Sequence, residues 1–189
     1  MKANLIKKYP TIGYCGIDCG LCPRYYTDGK SRCPGCGGKD FFEKHPSCSI
    51  ITCCGKNKRL ETCADCGDFP CGKMKNWDSA DSFVSHKNSL ENLRYIRGNG
   101  LPSFIRQQGV RIELLERMIK KYDDGRSKSF FCLACALLPL KDITAAFKEI
   151  GHPGNALKDK KLLAKLLRDM LQQKANVDGI KLVYRNKKA

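Results

Sequence analysis

The apolar positions of this chain change their rhythm once. Up to about residue 75 they stand singly among Gly, Pro, Asp and Lys, with neither the helical nor the strand period. This part reads as turns, with one short helix before Cys48. Helical spacing then takes over. Asp78 or Ser79 is placed to cap a helix whose Phe83, Leu90, Leu93 and Ile96 share a face, stopped by Gly98-Asn99-Gly100. Pro102 opens a second, broken at Gly109 and resumed by Ile112, Leu115, Met118, Ile119 and Tyr122 as far as Gly125. Phe130 to Leu138 is the most apolar run and reads as a short buried helix closed by Pro139. Asp142 heads a further helix ending at Gly151, and Asn155 heads a longer one to about Ala175. Leu157, Leu163, Leu166, Met170 and Leu171 face inward there. Ile180, Leu182 and Tyr184 alternate as a lone strand, and Lys187-Lys188 reads as a disordered tail.

The expected fold is therefore a small, irregular, metal-organised module resembling zinc knuckles, over residues 1–75, followed by a mainly α-helical region over 76–189. In class terms it is α, or α+β with few strands. Trp77, at the junction, is expected to pack against the module.

Cysteine is what makes the first part foldable. Eleven of the thirteen cysteines lie between Cys15 and Cys71. Three pairs, Cys19/Cys22, Cys33/Cys36 and Cys63/Cys66, have two residues between them, a spacing that lets one tight turn aim two sulfurs at one ion. Disulfides fit poorly: the count is odd, and Met1-Lys-Ala-Asn-Leu-Ile-Lys-Lys carries no apolar core of a secretory signal. Inert buried thiols fit poorly too, because these cysteines are not set in apolar periodic segments. Metal ligation remains. The candidate ligands are Cys15, Cys19, Cys22, Cys33, Cys36, Cys48, Cys53, Cys63, Cys66, Cys71, Cys132 and Cys135, enough for two to three zinc ions at four thiolates each.

One partition closes a site with Cys19, Cys22, Cys33 and Cys36 and a second with four of Cys48, Cys53, Cys63, Cys66 and Cys71. The remaining thiol and Cys15 then join Cys132 and Cys135 across the chain. Cys54 is left as a spare or exchanging ligand. The alternative cofactor is a [4Fe–4S] cluster, since Cys15-x3-Cys19-x2-Cys22 matches the spacing of radical S-adenosylmethionine enzymes. This chain lacks the repeated strand–helix pattern of their barrel.

The same residues resemble a known family. Tyr14-Cys-Gly-Ile-Asp-Cys-Gly-Leu-Cys-Pro23, Arg32-Cys-Pro-Gly-Cys36, Cys48-x4-Cys53 and Cys63-Ala-Asp-Cys-Gly-Asp-Phe-Pro-Cys71 are similar to an uncharacterised cysteine-rich domain family found mostly in anaerobic bacteria and archaea. Gly125-Arg126-Ser127 through Cys132, Cys135 and Pro139 is similar to a C-terminal extension in one of its subgroups. The resemblance implies metal binding and brings no activity, substrate or catalytic residue.

Charge adds a partner. The formal net charge is +16, and residues 72–189 hold 24 Lys/Arg against 12 Asp/Glu. The helical part is thus expected to contact a nucleic acid or an acidic protein. No apolar run reaches the roughly 18 residues of a membrane span, and the expected location is the cytoplasm. His45 reads as a solvated loop residue, and His86 and His152 as surface residues. Asp18 and Asp68 read as acceptors or turn formers beside ligands. Asp123-Asp124-Gly125-Arg126 reads either as an anion cradle at the next helix start or as a helix-ending turn. No Ser/His/Asp set, phosphate loop or dinucleotide fingerprint is present, so a binding role is expected rather than catalysis. The competing class is an iron–sulfur protein for electron transfer or redox sensing.

Overall fold

The structure is a computed structural model describing residues 6–45, 48–151 and 159–185. It is mainly α-helical, with an irregular N-terminal region of single 3₁₀ turns and, among the described residues, no strand. The helices are α1 (Phe41–Lys44), α2 (Ser89–Asn99), α3 (Leu101–Tyr122), α4 (Lys128–Leu137), α5 (Leu140–Ile150) and α6 (Lys160–Val177), with a π-helical turn over Ile51–Asn57. Two compact units emerge: Met1–Gln108 with Tyr184–Ala189, and Gly109–Val183.

The first unit reaches beyond the change in composition near residue 75 because its core needs later residues. Ile12, Tyr14, Phe41, Ile50, Ile51, Phe69 and Met74 from the cysteine-rich stretch are buried together with Leu93 and Ile96 of α2 and Phe104 of α3. To the apolar side chains that residues 1–75 supply, α2 and the start of α3 add Leu93, Ile96 and Phe104. Gly16 shows how closely they fit. Its φ is +85°, and a Cβ there would collide with the Ser89 carbonyl and the Leu93 side chain of α2.

Helix α2 begins at Ser89, not near Ser79. The reason is Asp81, whose carboxylate accepts the His86 N–H at 2.7 Å and the Ser85 hydroxyl at 3.2 Å, so the segment turns instead of winding. Phe83, expected on the inner face, is exposed. Asp81 also accepts the Arg185 N–H at 2.8 Å and its guanidinium at 2.8 and 3.2 Å, while the Asp81 N–H donates to the Arg185 carbonyl at 2.8 Å. That clip ties the end of the chain to the first unit. It engages the end of the segment expected to form a lone strand; with no neighbouring strand to pair with, that segment stays irregular.

Helix α3 runs unbroken through Gly109. A mid-helix glycine costs only about 1 kcal/mol relative to Ala, less than the flanking turns contribute. In the second unit α4, α5 and α6 pack together. Asp159 caps α6, accepting from the Lys161 and Leu162 N–H groups. The cap expected at Asn155 lies outside the described residues, as do His152, Leu157 and the Lys187-Lys188 tail. The buried stripe of α6 is Ala164, Leu167, Leu171 and Ala175; Leu163, Leu166 and Met170 are half-buried beside it.

Candidate metal centres

Tight hydrogen-bonded turns carry the cysteines and are laced together by the backbone. The Cys33 N–H donates to the Arg24 carbonyl at 3.0 Å, the Cys63 N–H to Tyr14 at 2.8 Å, and the Lys7 N–H to Gly37 at 2.8 Å. Gly35, inside Cys33-Pro34-Gly35-Cys36, takes φ +83° and presses against the Pro10 carbonyl where no Cβ fits. Thr62 and Asp65 form a capping box that starts the turn bearing Cys63 and Cys66.

All eleven cysteines from Cys15 to Cys71 come to rest on two cavities. The first, of about 370 Å³, is lined by Cys15, Cys19, Cys22, Cys33, Cys36 and Cys48. The second, of about 390 Å³, is lined by Cys53, Cys54, Cys63, Cys66 and Cys71. Cys48 therefore stands with the first group rather than the second, and Cys54 belongs to the second. Among the described residues no disulfide forms. Nor do three His, Cys, Asp or Glu side chains stand together at metal-ligating distance.

Electrostatics define the first cavity further. Burial pushes the Cys15, Cys19 and Cys22 thiols up and holds Cys36 at about 11, the last against an opposing hydrogen bond from the Tyr14 backbone. Lys7 is 5 % exposed, and its ammonium donates to the Ile12 carbonyl at 2.6 Å over the Tyr14 ring. Burial lowers its pKa, while Cys36, Glu61, Cys19 and Cys15 act to raise it. A buried ammonium beside three cysteines is stabilised when those cysteines carry negative charge, as metal-bound thiolates do. Lys7 was invisible in the sequence, where it is one of several basic residues in a polar lead-in.

In the second cavity the hydrogen bond between Cys54 and Cys63, then burial, pushes Cys63 far up. Lys58 at its mouth lies 3.1 Å from the Cys66 sulfur and pairs with exposed Asp68. The first cavity has an aromatic wall: His45 stacks on Phe41 at 4.6 Å and His86 on Trp77 at 5.3 Å, and all four line it. Trp77 thus packs against the cysteine-rich stretch as expected. The histidines differ from expectation. His45 is half-buried, and His86 is 9 % exposed, its ring bonded to Ser82 and to the Trp77 carbonyl.

Asp18 is a buried acceptor, taking the Asn92 amide at 2.9 Å and the Gln108 amide at 2.8 Å. It anchors the Cys15–Cys22 turn to α2 and α3. Asp123 and Asp124 accept the Arg126, Ser127 and Lys128 N–H groups at the start of α4. These carboxylates fill the anion cradle considered there. Cys132 and Cys135 sit in α4, both wholly buried, with the Cys135 sulfur 3.9 Å from that of Met118. Burial raises Cys135 to about 12.

A family described as a protein of unknown function, DUF3795, matches residues 11–76, the span that carries both sets of thiols. No curated protein and no solved structure matches the chain. No described helix is long and apolar enough to cross a membrane.

Proposed function

We propose that this is a zinc-binding protein whose two thiol-lined cavities are its metal centres, with the metals serving mainly to hold the first unit. The observation that carries the reading is the convergence itself: eleven cysteines spread over residues 15–71 gather on two cavities and nowhere else in that stretch. Thiolates are zinc's preferred anionic ligands, and the buried Lys7 supplies a counter-charge beside the first set. Cys132 and Cys135 are then core side chains of the second unit rather than ligands, in keeping with their full burial in an apolar helix. The chain acts in a reducing compartment, the cytoplasm, where thirteen thiols persist. Its helical part, with exposed Lys160, Lys161, Lys165 and Arg168 on α6, contacts a nucleic acid or an acidic protein.

Purification without oxygen followed by metal analysis tests the reading. Colourless protein carrying zinc supports it, and protein free of any transition metal refutes it. A second reading is favoured by Cys15, Cys19 and Cys22 standing on one cavity in cluster-like spacing: brown protein with iron and sulfide would make this an iron–sulfur redox protein. Salt-sensitive gel shifts of the full chain test the nucleic-acid contact.

A further inference from the structure

We propose that the first unit carries a platform for single-stranded nucleic acid, where unpaired bases stack on Phe83, Tyr25 and Tyr26 while Arg24, Lys30 and Arg32 hold the phosphates. This goes beyond the contact of the α6 cations, which depends on charge alone. It holds whichever metal the thiols bind.

Phe83 is the residue that points there. Phenylalanine ordinarily belongs to the core, yet this side chain is 60 % exposed. A built turn holds it out: Asp81 accepts the His86 N–H at 2.7 Å and the Ser85 hydroxyl at 3.2 Å, fixing the backbone on either side. The exposed Arg24 places its guanidinium carbon 4.0 Å from the Phe83 ring centroid. Next in the chain, the half-buried Tyr25 and Tyr26 rings meet edge to face at 5.4 Å. Arg32 stands over the Tyr25 ring at 5.3 Å, and its Nε donates to the Tyr25 carbonyl at 3.0 Å. The Tyr26 hydroxyl donates to the Gly20 carbonyl at 2.6 Å, which fixes that ring as well. The Cys33 N–H, bonded to the Arg24 carbonyl at 3.0 Å, ties the segment of Arg32 to that of Arg24.

Rings and cations alternating on one surface suit one kind of partner. An unpaired base offers a flat face to an aromatic ring or a guanidinium plane, and its phosphate pairs with a cation. A duplex keeps its bases stacked on one another and offers these rings no face. An acidic peptide would engage the cations and leave the rings in water. Charge complementarity agrees: the exposed charged residues between 24 and 32 are Arg24, Lys30 and Arg32 against Asp28 alone. Stacking reads any base, so the platform is expected to bind strands with little regard to sequence.

Removing the bases from the strand separates stacking from charge. The full-length protein, isolated without oxygen, is titrated at low salt into three labelled probes and followed by fluorescence anisotropy. The probes are an oligothymidylate of about twelve nucleotides, an abasic strand of equal length, and the duplex of that oligothymidylate with its complement. The oligothymidylate should bind about tenfold or more tighter than either of the others. Phe83→Ala should weaken its binding by about 5- to 100-fold and leave the abasic strand unaffected, and Tyr25→Leu should act in the same direction. Arg32→Gln should lower the salt dependence by about one phosphate contact, a change of roughly 0.7 in the slope of log affinity against log salt. Equal affinity for the abasic strand, or tighter binding of the duplex, would overturn the platform while leaving the α6 contact standing. Unchanged oligothymidylate affinity in Phe83→Ala would overturn it too, as would displacement of the strand by polyglutamate of equal charge as readily as by unlabelled oligothymidylate. If Tyr25→Leu does not fold, the ratio between oligothymidylate and abasic strand in the parent still decides. A parent that binds none of the probes would overturn both the platform and the nucleic-acid contact of α6.

Discussion

Replacing Asp81 with Asn should loosen the chain end by an amount that depends on pH in a defined way. The Asp81 side chain is 1 % exposed and accepts five hydrogen bonds: from the Arg185 backbone, two guanidinium nitrogens of Arg185, the His86 backbone and the Ser85 hydroxyl. Burial alone would raise its pKa, but Arg185 and the backbone donors outweigh burial and hold it at about 2, against 3.8 in a free chain. A pKa lower in the folded state stabilises the fold above the free-chain value, and the contribution fades as pH falls from about 4 through 2. At 1.36 kcal/mol per unit, the difference amounts to about 2 kcal/mol near neutrality, or roughly 30-fold in the opening equilibrium. The Asn side chain keeps the shape, loses the charge and places an amide where an acceptor is needed. Hydrogen exchange read by NMR at the Asp81 and Arg185 amides is the assay, since these two N–H groups exist as hydrogen bonds only while the clip is closed. Exchange in the variant relative to the parent should be about 30-fold faster at pH 7 and should converge on the parent as pH approaches 2. Equal rates at neutral pH, or a difference that does not shrink with acid, would show that the carboxylate charge does not hold the tail.

Three further outcomes follow from the packing. Gly16→Ala should destabilise the first unit by more than the ~1 kcal/mol of a left-handed backbone alone, because the new Cβ meets the Ser89 carbonyl; thermal unfolding measures it. Asp18→Ala should cost about 1–3 kcal/mol by leaving the Asn92 and Gln108 amides without their acceptor; denaturant unfolding that matches the parent would contradict this. Changing Cys132 and Cys135 together to Ala should leave metal content unchanged and lower the stability of the second unit, whereas loss of a metal ion would restore the pair as ligands.

What the sequence disclosed, and what it hid, follows the range of the interactions involved. The apolar run at Phe130–Leu138 and the glycine after α2 act through near neighbours, and both read correctly as a buried helix and a helix end. Asp81 did not, because its main partner, Arg185, is 104 residues away. A good capping residue beside Ser79 looked like a helix start, and only the long-range clip shows why it is a turn. The C-x2-C pairs read as metal ligands, but spacing cannot say which pairs meet. Cys48 was set with the later cysteines by proximity in sequence. Phe41, buried in the core just before it, instead brings the chain back toward Cys15 and Cys36. Lys7 carried no local signal; it is buried against Tyr14 and Gly37, whereas His86 is held by nearby Asp81, Ser82 and Trp77.

The two sets of thiols do not interleave along the chain. Every cysteine of the first cavity precedes Cys53, and every cysteine of the second follows Cys48. During synthesis, a nascent chain that has emerged as far as Cys48 therefore presents the whole first set before any thiol of the second leaves the ribosome. Mispairing between sets, which an interleaved order would invite, has no opportunity to arise at that stage. Trp77 and His86, which complete the wall of the first cavity, emerge later, as do Leu93 and Ile96 of α2, which are buried with the cysteine-rich stretch. The order of residues thus supplies an order of assembly.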